Sequence, residues 1–387
     1  MVNMRFEFAT AGRIIFGPGT QAESGPAAAE LGRRVLVVRG RNPARTKPLL
    51  SILEDAKLEH SCFEVHGEPT VEQIAGGVNQ ARQAEADLVI GFGGGSVIDS
   101  AKAIAGLVTN PGVILDYLEV IGKGKQLSVP ALPCIAIPTT AGTGAEVTRN
   151  SVLASPEHQV KVSLRSPFLL PRLAIVDPKL TSDLPSSVTA STGLDALTQL
   201  IEPYVSVRAN PITDAFCIEG MQRATRSLRR AYEHGQDLSA REDMALASLF
   251  GGLSLANAGL GAVHGFAAPI GGMFPAPHGA VCAALLPHVM EVNLRAMRER
   301  LNHSEALRRY DSVAAILTGS DKATAVDGIQ WISEVCQALQ VPGLRDYGVT
   351  EADITVLVEK AAKASSMKAN PIVLTDDELA EALRAAL

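Results

Sequence analysis

Four residues of this 387-residue chain carry groups that could share one ion. Asp195 and Gln199 lie four apart in Leu-Asp-Ala-Leu-Thr-Gln, so on a helix they occupy one face. His264 stands in Gly-Ala-Val-His-Gly-Phe and His278 in Pro-Ala-Pro-His-Gly-Ala. One carboxylate, one amide oxygen and two imidazoles could hold a divalent cation of the Fe, Zn or Mn type and still leave a position for a substrate oxygen. Such an ion would polarise a carbonyl, or an alcohol in the reverse direction. Histidines in apolar segments also occur as satisfied core residues, so spacing alone leaves both readings open. His288, in Leu-Pro-His-Val-Met, reads as core, and His60, His66, His158, His234 and His303 stand in polar contexts that suit a surface.

A second group of residues suits a phosphate. Leu88 to Ile90 is an apolar, β-branched run that passes into Gly93-Gly94-Gly95-Ser96 and then into Val97, Ile98, Ala101 and Ala105 at helical spacing. That is a strand, a glycine turn and a helix. A turn without Cβ atoms lets the backbone approach a ligand, and the free N–H groups and positive dipole end of the helix favour an anion. Ser96 could cap the helix and donate to a phosphate oxygen. The alternative is a tight connection with no ligand, and the run is not a GxGxxG fingerprint. Thr139-Thr140-Ala141-Gly142-Thr143-Gly144 supplies hydroxyl donors without bulk, either as a ribose or phosphate wall or as a polar surface loop. The strand Arg34 to Val38 ends in Arg39-Gly40-Arg41-Asn42, with no acid to receive an adenosine ribose, which leans towards NADP or dual use of NAD and NADP, the alternative being an exposed basic loop.

The elements that must position these groups follow from periodicity. Short strands are expected at Phe6 to Phe8 and Arg13 to Phe16, with a turn at Gly17-Pro18-Gly19-Thr20 opening a helix through Leu31. An amphipathic helix over Val71, Ile74, Val78 and Ala81 precedes the glycine turn, and Pro133 to Pro138 and Leu173 to Val176 are further strands. Alternating strands and helices predict a mainly parallel sheet covered on both faces. Beyond about residue 185 the segments are long and helical, with start signals at Asn210-Pro211 and at the box Ser239-Ala240-Arg241-Glu242. The fold class is therefore α/β plus all-α: a Rossmann-like domain over 1–184 and a helical domain over 185–387.

Composition narrows the function. The chain is 47% hydrophobic, 20% charged and 4% aromatic, with a formal net charge of −6, which speaks against nucleic-acid binding. Five cysteines without CxxC spacing fit a reducing compartment, and the charged N-terminus has no signal-like apolar core, so a cytoplasmic location is expected. No Asp, Glu, Lys or Arg occurs from Met244 to Met290, but Asn257, His264, His278 and many glycines and prolines interrupt the run. It reads as buried helices and turns, not as a membrane span.

Taken in order, these motifs resemble the iron-containing (group III) alcohol dehydrogenase family. The likeness is carried by Gly93-Gly94-Gly95-Ser96-Val97-Ile98-Asp99-Ser100-Ala101-Lys102, by Pro138-Thr139-Thr140-Ala141-Gly142-Thr143-Gly144-Ala145-Glu146-Val147-Thr148 and by Val176-Asp177-Pro178. It continues through Gly193-Leu194-Asp195-Ala196 and the surroundings of His264 and His278. The resemblance implies an active cleft between the two domains, with Gly94, Gly95 and Ser96 at the pyrophosphate of NAD or NADP. It places Asp99, Thr139, Thr140, Thr143, Asn150 and Lys161 around the nicotinamide half, and Asp195, position 199, His264 and His278 at a divalent metal, Fe2+ or Zn2+ first. Typical members have His where this chain has Gln199, and an amide oxygen is the weaker donor, so metal affinity should fall and preference should move towards harder ions. A second family histidine is replaced by Ala268, which leaves a proton relay to water, a cofactor hydroxyl or another group.

The expected activity is an NAD(P)-dependent alcohol dehydrogenase, or aldehyde or ketone reductase, acting on a small-molecule substrate, with Asp195, His264 and His278 at the reacting oxygen. Three rivals stand beside it: a metal-independent reductase of the maleylacetate reductase type, a non-redox nucleotide-using enzyme of the dehydroquinate-synthase-like superfamily, and a nucleotide-binding module without catalysis. The expected assembly is a homodimer, with N-terminal strands pairing across a two-fold axis.

Overall fold

A computed structural model describes residues 5–301 and 304–387; the first four residues and His303 lie outside the described residues. The chain divides into two compact units. One is Thr10–Thr140 with Gly144–Ser182, and the other is Asp183–Leu387 with Ala141–Thr143 and the segment ending at Ala9.

The first unit alternates strands and helices: β1 (Ile14–Phe16), α1 (Ser24–Ala29), β2 (Arg34–Arg39), α2 (Pro43–Asp55), β3 (Glu59–Glu64), α3 (Val71–Gln83), β4 (Leu88–Gly93), α4 (Gly95–Thr109), β5 (Cys134–Pro138), β6 (Asn150–Ser155), β7 (Val160–Arg165) and β8 (Leu173–Val176). Six strands form one wholly parallel sheet in the order β1-β8-β5-β4-β2-β3, and β6 and β7 form a separate antiparallel hairpin. The unbroken apolar runs of β2 and β4 are explained by the two covered faces. Val35, Val37, Leu88 and Ile90 enter one core, while Leu36, Val38 and Val89 enter the other. Strand order reverses beside β4, and at this switch point an open α/β sheet receives ligands at the carboxyl ends of its strands.

Register places the candidate nucleotide segments along that edge. Gly93 pairs with Pro138, so the glycine turn and the threonine loop leave the sheet side by side, and Arg39 is opposite Phe92 one strand over. The threonine loop is not a polar surface loop: Thr139, Ala141, Ala145, Glu146, Val147 and Thr148 are buried.

The second unit is helical: α5 (Ser186–Val205), α6 (Pro211–Glu233), α7 (Leu238–Ala258), α8 (Ala262–Met273), α9 (His278–Arg300), α10 (Glu305–Thr318), α11 (Ala325–Ala338), α12 (Ile354–Ala362) and α13 (Asp376–Ala385). Its single large core takes Leu194, Leu197, Leu200 and Ile201 from α5, Phe266 and Ile270 from α8 and Val281, Leu285 and Leu286 from α9. The uncharged run is thus α7, α8 and the first half of α9. Among the described residues no single helix is long and apolar enough to cross a membrane, and α7 and α8 meet at a 100° bend.

Two local expectations are corrected. Phe6 to Phe8 is not a strand, because the neighbouring backbone at Ala9 has its N–H and C=O satisfied by the Asn257 amide, at 2.7 and 3.0 Å. The capping residue of α7 is Asp237, which accepts from Ala240 N at 3.0 Å, and Ser239 lies within the helix. The Asn210 cap of α6 is present as a full capping box with Thr213.

Candidate active site

Helix α5 presents Asp195, Gln199 and Glu202 at i, i+4 and i+7 on its buried C-terminal half, where Leu194, Ala196, Leu197, Leu200 and Ile201 are the apolar neighbours. This row faces the start of α8. Glu202 Oε1 accepts from Val263 N at 2.8 Å, and Asn370 Oδ1 accepts from Ala262 N at 3.1 Å. The two first-turn N–H groups of α8, whose N-cap Gly261 offers no side chain, are therefore satisfied from elsewhere in the fold. The other oxygen of the same carboxylate, Oε2, accepts from His264 Nδ1 at 2.6 Å. That bond fixes the ring so that Nε2 points at Asp195, with Oδ1 3.4 Å away.

His278 is the first residue of α9, and its Nε2 lies 3.8 Å from the same Asp195 oxygen. The glycine after it is required by packing: a Cβ on Gly279 would stand 2.3 Å from Ser191 O and 3.2 Å from Asp195 Cβ. Only a bare backbone lets the start of α9 come this near α5. One turn further along α9 is Cys282, whose Sγ is 3.8 Å from both His264 Nε2 and His278 Nε2. Asp195, His264, His278 and Cys282 each offer one atom, and all four atoms lie within 4.8 Å of one another.

The electrostatics of this cluster favour positive charge. Burial pushes the Asp195 carboxyl up, but the His278 and His264 imidazoles, with the Gln199 amide beside it, hold it below the usual carboxylate range. Burial pulls both imidazoles down, yet Cys282 and Glu202 raise His264 well above its ordinary value, and Cys282 and Asp195 raise His278. Asp195 Oδ1 and Gln199 Oε1 are buried without a hydrogen-bond partner. An unmet buried acceptor costs about 1–3 kcal/mol, which a cation between the two would offset. In a tetrahedral zinc site the bond lengths imply about 3.4 Å between an oxygen and a nitrogen donor. The spacings of 3.4 and 3.8 Å to Asp195 Oδ1 are of that size, and the residues present fit a divalent metal.

The other predicted residues lie at the sheet. Gly94 is the N-cap of α4 and brings no side-chain acceptor, and Gly95 and Ser96 are its first two residues, so Ser96 is inside the helix and does not cap it. Thr140 leans over the turn, 3.4 Å from where a Cβ on Gly94 would be, and Thr139 N donates to Gly93 O at 2.9 Å. Asp99 uses both oxygens within the fold, on Lys102 Nζ at 2.8 Å and Val152 N at 2.9 Å. Asn150 opens β6, and its carbonyl accepts from Lys102 Nζ at 2.5 Å. Lys161 on β7 is almost fully buried and pairs with Glu68 at 3.2 Å. Thr143 belongs to the short segment grouped with the helical unit.

Three residues escaped sequence reasoning. Glu202 could have been found from its i+7 spacing to Asp195, and Cys282 from its i+4 spacing to His278. Lys102 could not, since a lysine on an amphipathic helix reads as solvated. Here its fully buried ammonium also reaches Ala145 O at 2.9 Å and Thr148 Oγ1 at 3.0 Å, joining α4 to the threonine loop and β6.

Comparison with known proteins identifies the family. The family model described as iron-containing alcohol dehydrogenase matches residues 11–178, and that described as Fe-containing alcohol dehydrogenase family, C-terminal, matches 189–387. Alcohol dehydrogenase 4 of Schizosaccharomyces pombe is 37% identical over 96% of this chain and 87% of its own length. The 1,3-propanediol dehydrogenase of Klebsiella pneumoniae is 34% identical over 98% of both chains. Among solved structures, a 1,3-propanediol oxidoreductase superposes with a TM-score of 0.92 at 33% identity, covering 99% of this chain and 100% of its own. The sulfoacetaldehyde reductase of Bifidobacterium kashiwanohense in complex with NAD+ superposes with a TM-score of 0.86 at 27% identity, covering 99% of each. With two family models that between them span nearly all of its length, the chain belongs to the iron-containing alcohol dehydrogenase family.

Proposed function

We propose that the protein is a nicotinamide-dependent oxidoreductase that interconverts a small alcohol and the corresponding aldehyde or ketone, and that Asp195, His264 and His278, with or without Gln199, hold a divalent ion at the reacting oxygen. The observation that carries this reading is the convergence of Asp195 Oδ1 and the two imidazole Nε2 atoms, with Glu202 fixing one ring from behind. An ion bound there would supply Lewis-acid polarisation of the substrate oxygen. The protein's own residues do the rest. Asp195 and the histidines set where that oxygen sits, and Glu202, by accepting from Nδ1, holds the His264 ring so that Nε2 faces the reacting group.

The cofactor pyrophosphate binds at Gly94, Gly95 and Ser96, where α4 offers unpaired N–H groups and no competing side-chain cap. Thr139, Thr140, Thr143, Asn150, Lys161 and Asp99 surround the nicotinamide half, the last of these by holding Lys102 and β6 in place. A bound nicotinamide would supply hydride transfer to or from the substrate carbon, and the part of the protein's own residues is orientation and charge stabilisation. NAD is the cofactor in the complex of the sulfoacetaldehyde reductase, and we take NAD as the base expectation. NADP is accepted as well, because the β2 end offers no acid of its own. Open space surrounds Gly40, and Arg41 Nε donates to His66 Nδ1 at 3.0 Å.

The test is a panel of alcohols and carbonyls with both cofactors, run on metal-stripped protein and after adding back Fe(II), Zn(II) or Mn(II). Restored turnover on metal addition, with stoichiometric change in nicotinamide absorbance, is the expected result. Full activity in the stripped protein would exclude the ion, and product formed without net nicotinamide oxidation or reduction would exclude the redox reaction.

A further inference from the structure

We propose that Cys282 is a metal ligand of this protein, bound as a thiolate in one donor set with Asp195, His264 and His278. The inference rests on the metal reading above and alters its donor set: the fourth donor is a sulfur from α9 in place of an imidazole at position 199.

Three observations converge on it. Cys282 follows His278 by four residues on α9, so both side chains leave the same face of the helix, and Cys282 is fully buried in that cluster. Its Sγ lies 3.8 Å from each imidazole Nε2. With zinc–sulfur and zinc–nitrogen bonds of about 2.3 and 2.0–2.1 Å, a tetrahedral site requires roughly 3.6 Å between those donors, so the sulfur stands where a ligand would stand. Asp195 Oδ1, which is buried, accepts no hydrogen bond and faces both imidazoles, completes the same constellation from α5.

Chemistry favours sulfur over the amide. Position 199 offers a neutral oxygen, a weak donor to a borderline ion, whereas a thiolate adds a second negative charge to that of Asp195 and so balances a divalent cation. On binding, the Sγ–H bond breaks, the proton passes to solvent and an Sγ–metal bond forms, with no change of oxidation state. A soft donor also moves selectivity towards zinc and iron and away from manganese or magnesium, the reverse of what Gln199 alone implies.

The deciding experiment loads metal-stripped protein with Co(II) and records its absorption spectrum. A sulfur-to-cobalt charge-transfer band in the near ultraviolet is expected beside the visible d–d bands. The charge-transfer band should persist in Gln199→Ala. In Cys282→Ser it should vanish while d–d bands remain, with metal affinity lower by tenfold or more in a chelator competition. X-ray absorption on the zinc-loaded natural sequence, which needs no variant, should show a sulfur at about 2.3 Å. Cobalt bound with d–d bands but no charge transfer, or zinc with nitrogen and oxygen neighbours only, would overturn the role of Cys282 and leave the metal reading standing. Failure of the unaltered protein to bind cobalt or zinc would remove the metal reading and Cys282 with it.

Discussion

At the scale of the residue, Glu202 is the side chain on which most depends, since one carboxylate caps α8 and orients His264. Glu202→Gln should therefore keep the fold and weaken metal binding tenfold to a hundredfold in a chelator competition, the usual cost of losing such an outer partner. Unchanged affinity would reduce Glu202 to a helix cap. His264→Ala should lower kcat by about a thousandfold, or ~4 kcal/mol, with little change in dinucleotide Kd by fluorescence titration; an equal loss of both would make His264 structural. Glu146 predicts a pH effect of a different kind. Burial, only partly opposed by its own backbone and by Lys102, pushes its pKa from 4.5 to about 7. The unfolded chain releases this proton near pH 4.5 and the folded chain near 7, so the contribution to stability is complete below about 4.5 and is lost as pH rises through 7. The loss is about 3 kcal/mol. Urea unfolding at pH 5 and pH 8 should show that fall in the natural sequence and not in Glu146→Gln, and parallel behaviour of the two would refute it. His264 and His278 stand out in the sequence because an imidazole in an uncharged run is conspicuous, and the structure brings both to Asp195. Cys282 does not stand out, because its partners besides His278 come from other helices, and spacing along one chain reports only neighbours on the same face.

At the scale of the element, the strand–turn–helix of β4 and α4 was legible because apolar period, glycine run and helical spacing all agree there. What spacing could not assign is which glycine serves packing and which serves a ligand. A Cβ on Gly93 would lie 2.6 Å from Val97, so this glycine lets α4 pack on β4. A Cβ on Gly94 would meet only Thr140, at 3.4 Å. Gly93→Ala should accordingly cost about 1–3 kcal/mol in chemical denaturation. Gly94→Ala should unfold close to the natural sequence but bind dinucleotide at least tenfold more weakly, because its methyl group occupies the mouth of the turn. Equal destabilisation by both, with cofactor affinity intact in Gly94→Ala, would return the turn to a purely structural role. The misplaced caps have one physical cause. Ser96 and Ser239 have the right residue type, but the cap is decided by which residue leaves helical geometry, and Gly94 and Asp237 do so first. Phe6 to Phe8 alternates like a strand, yet a strand needs a partner, and the neighbouring backbone at Ala9 is bonded by a side chain of α7 instead.

At the scale of the molecule, the candidate metal donors and the candidate nucleotide-binding residues fall in different stretches of the chain. Asp195, Gln199, Glu202, His264, His278 and Cys282 all belong to the helical unit, while Gly94, Gly95, Ser96, Thr139, Thr140, Asn150 and Lys161 belong to the α/β unit. The texture of the sequence changes near residue 185, since strand and helix alternate before it and, among the described residues, helices alone follow. The entry of Ala141–Thr143 into the helical unit was not legible, because three residues inside a loop carry no periodicity. On the proposed function, metal and dinucleotide are expected to be separable in their effect on stability. A ligand at a hundred times its Kd stabilises the state that binds it by about 2.7 kcal/mol, equivalent to a hundredfold fall in the population of the open form. Hydrogen exchange on the stripped protein should thus slow by up to about a hundredfold in α5, α8 and α9 on adding metal alone, and in β4 and α4 on adding dinucleotide alone, because each amide reports the opening of its own cooperative unit. Metal that protected α4 as strongly as α5 would show the units opening together. Metal that protected α4 and left α5 untouched would place the ion away from Asp195, and the donor set built here would have to be abandoned.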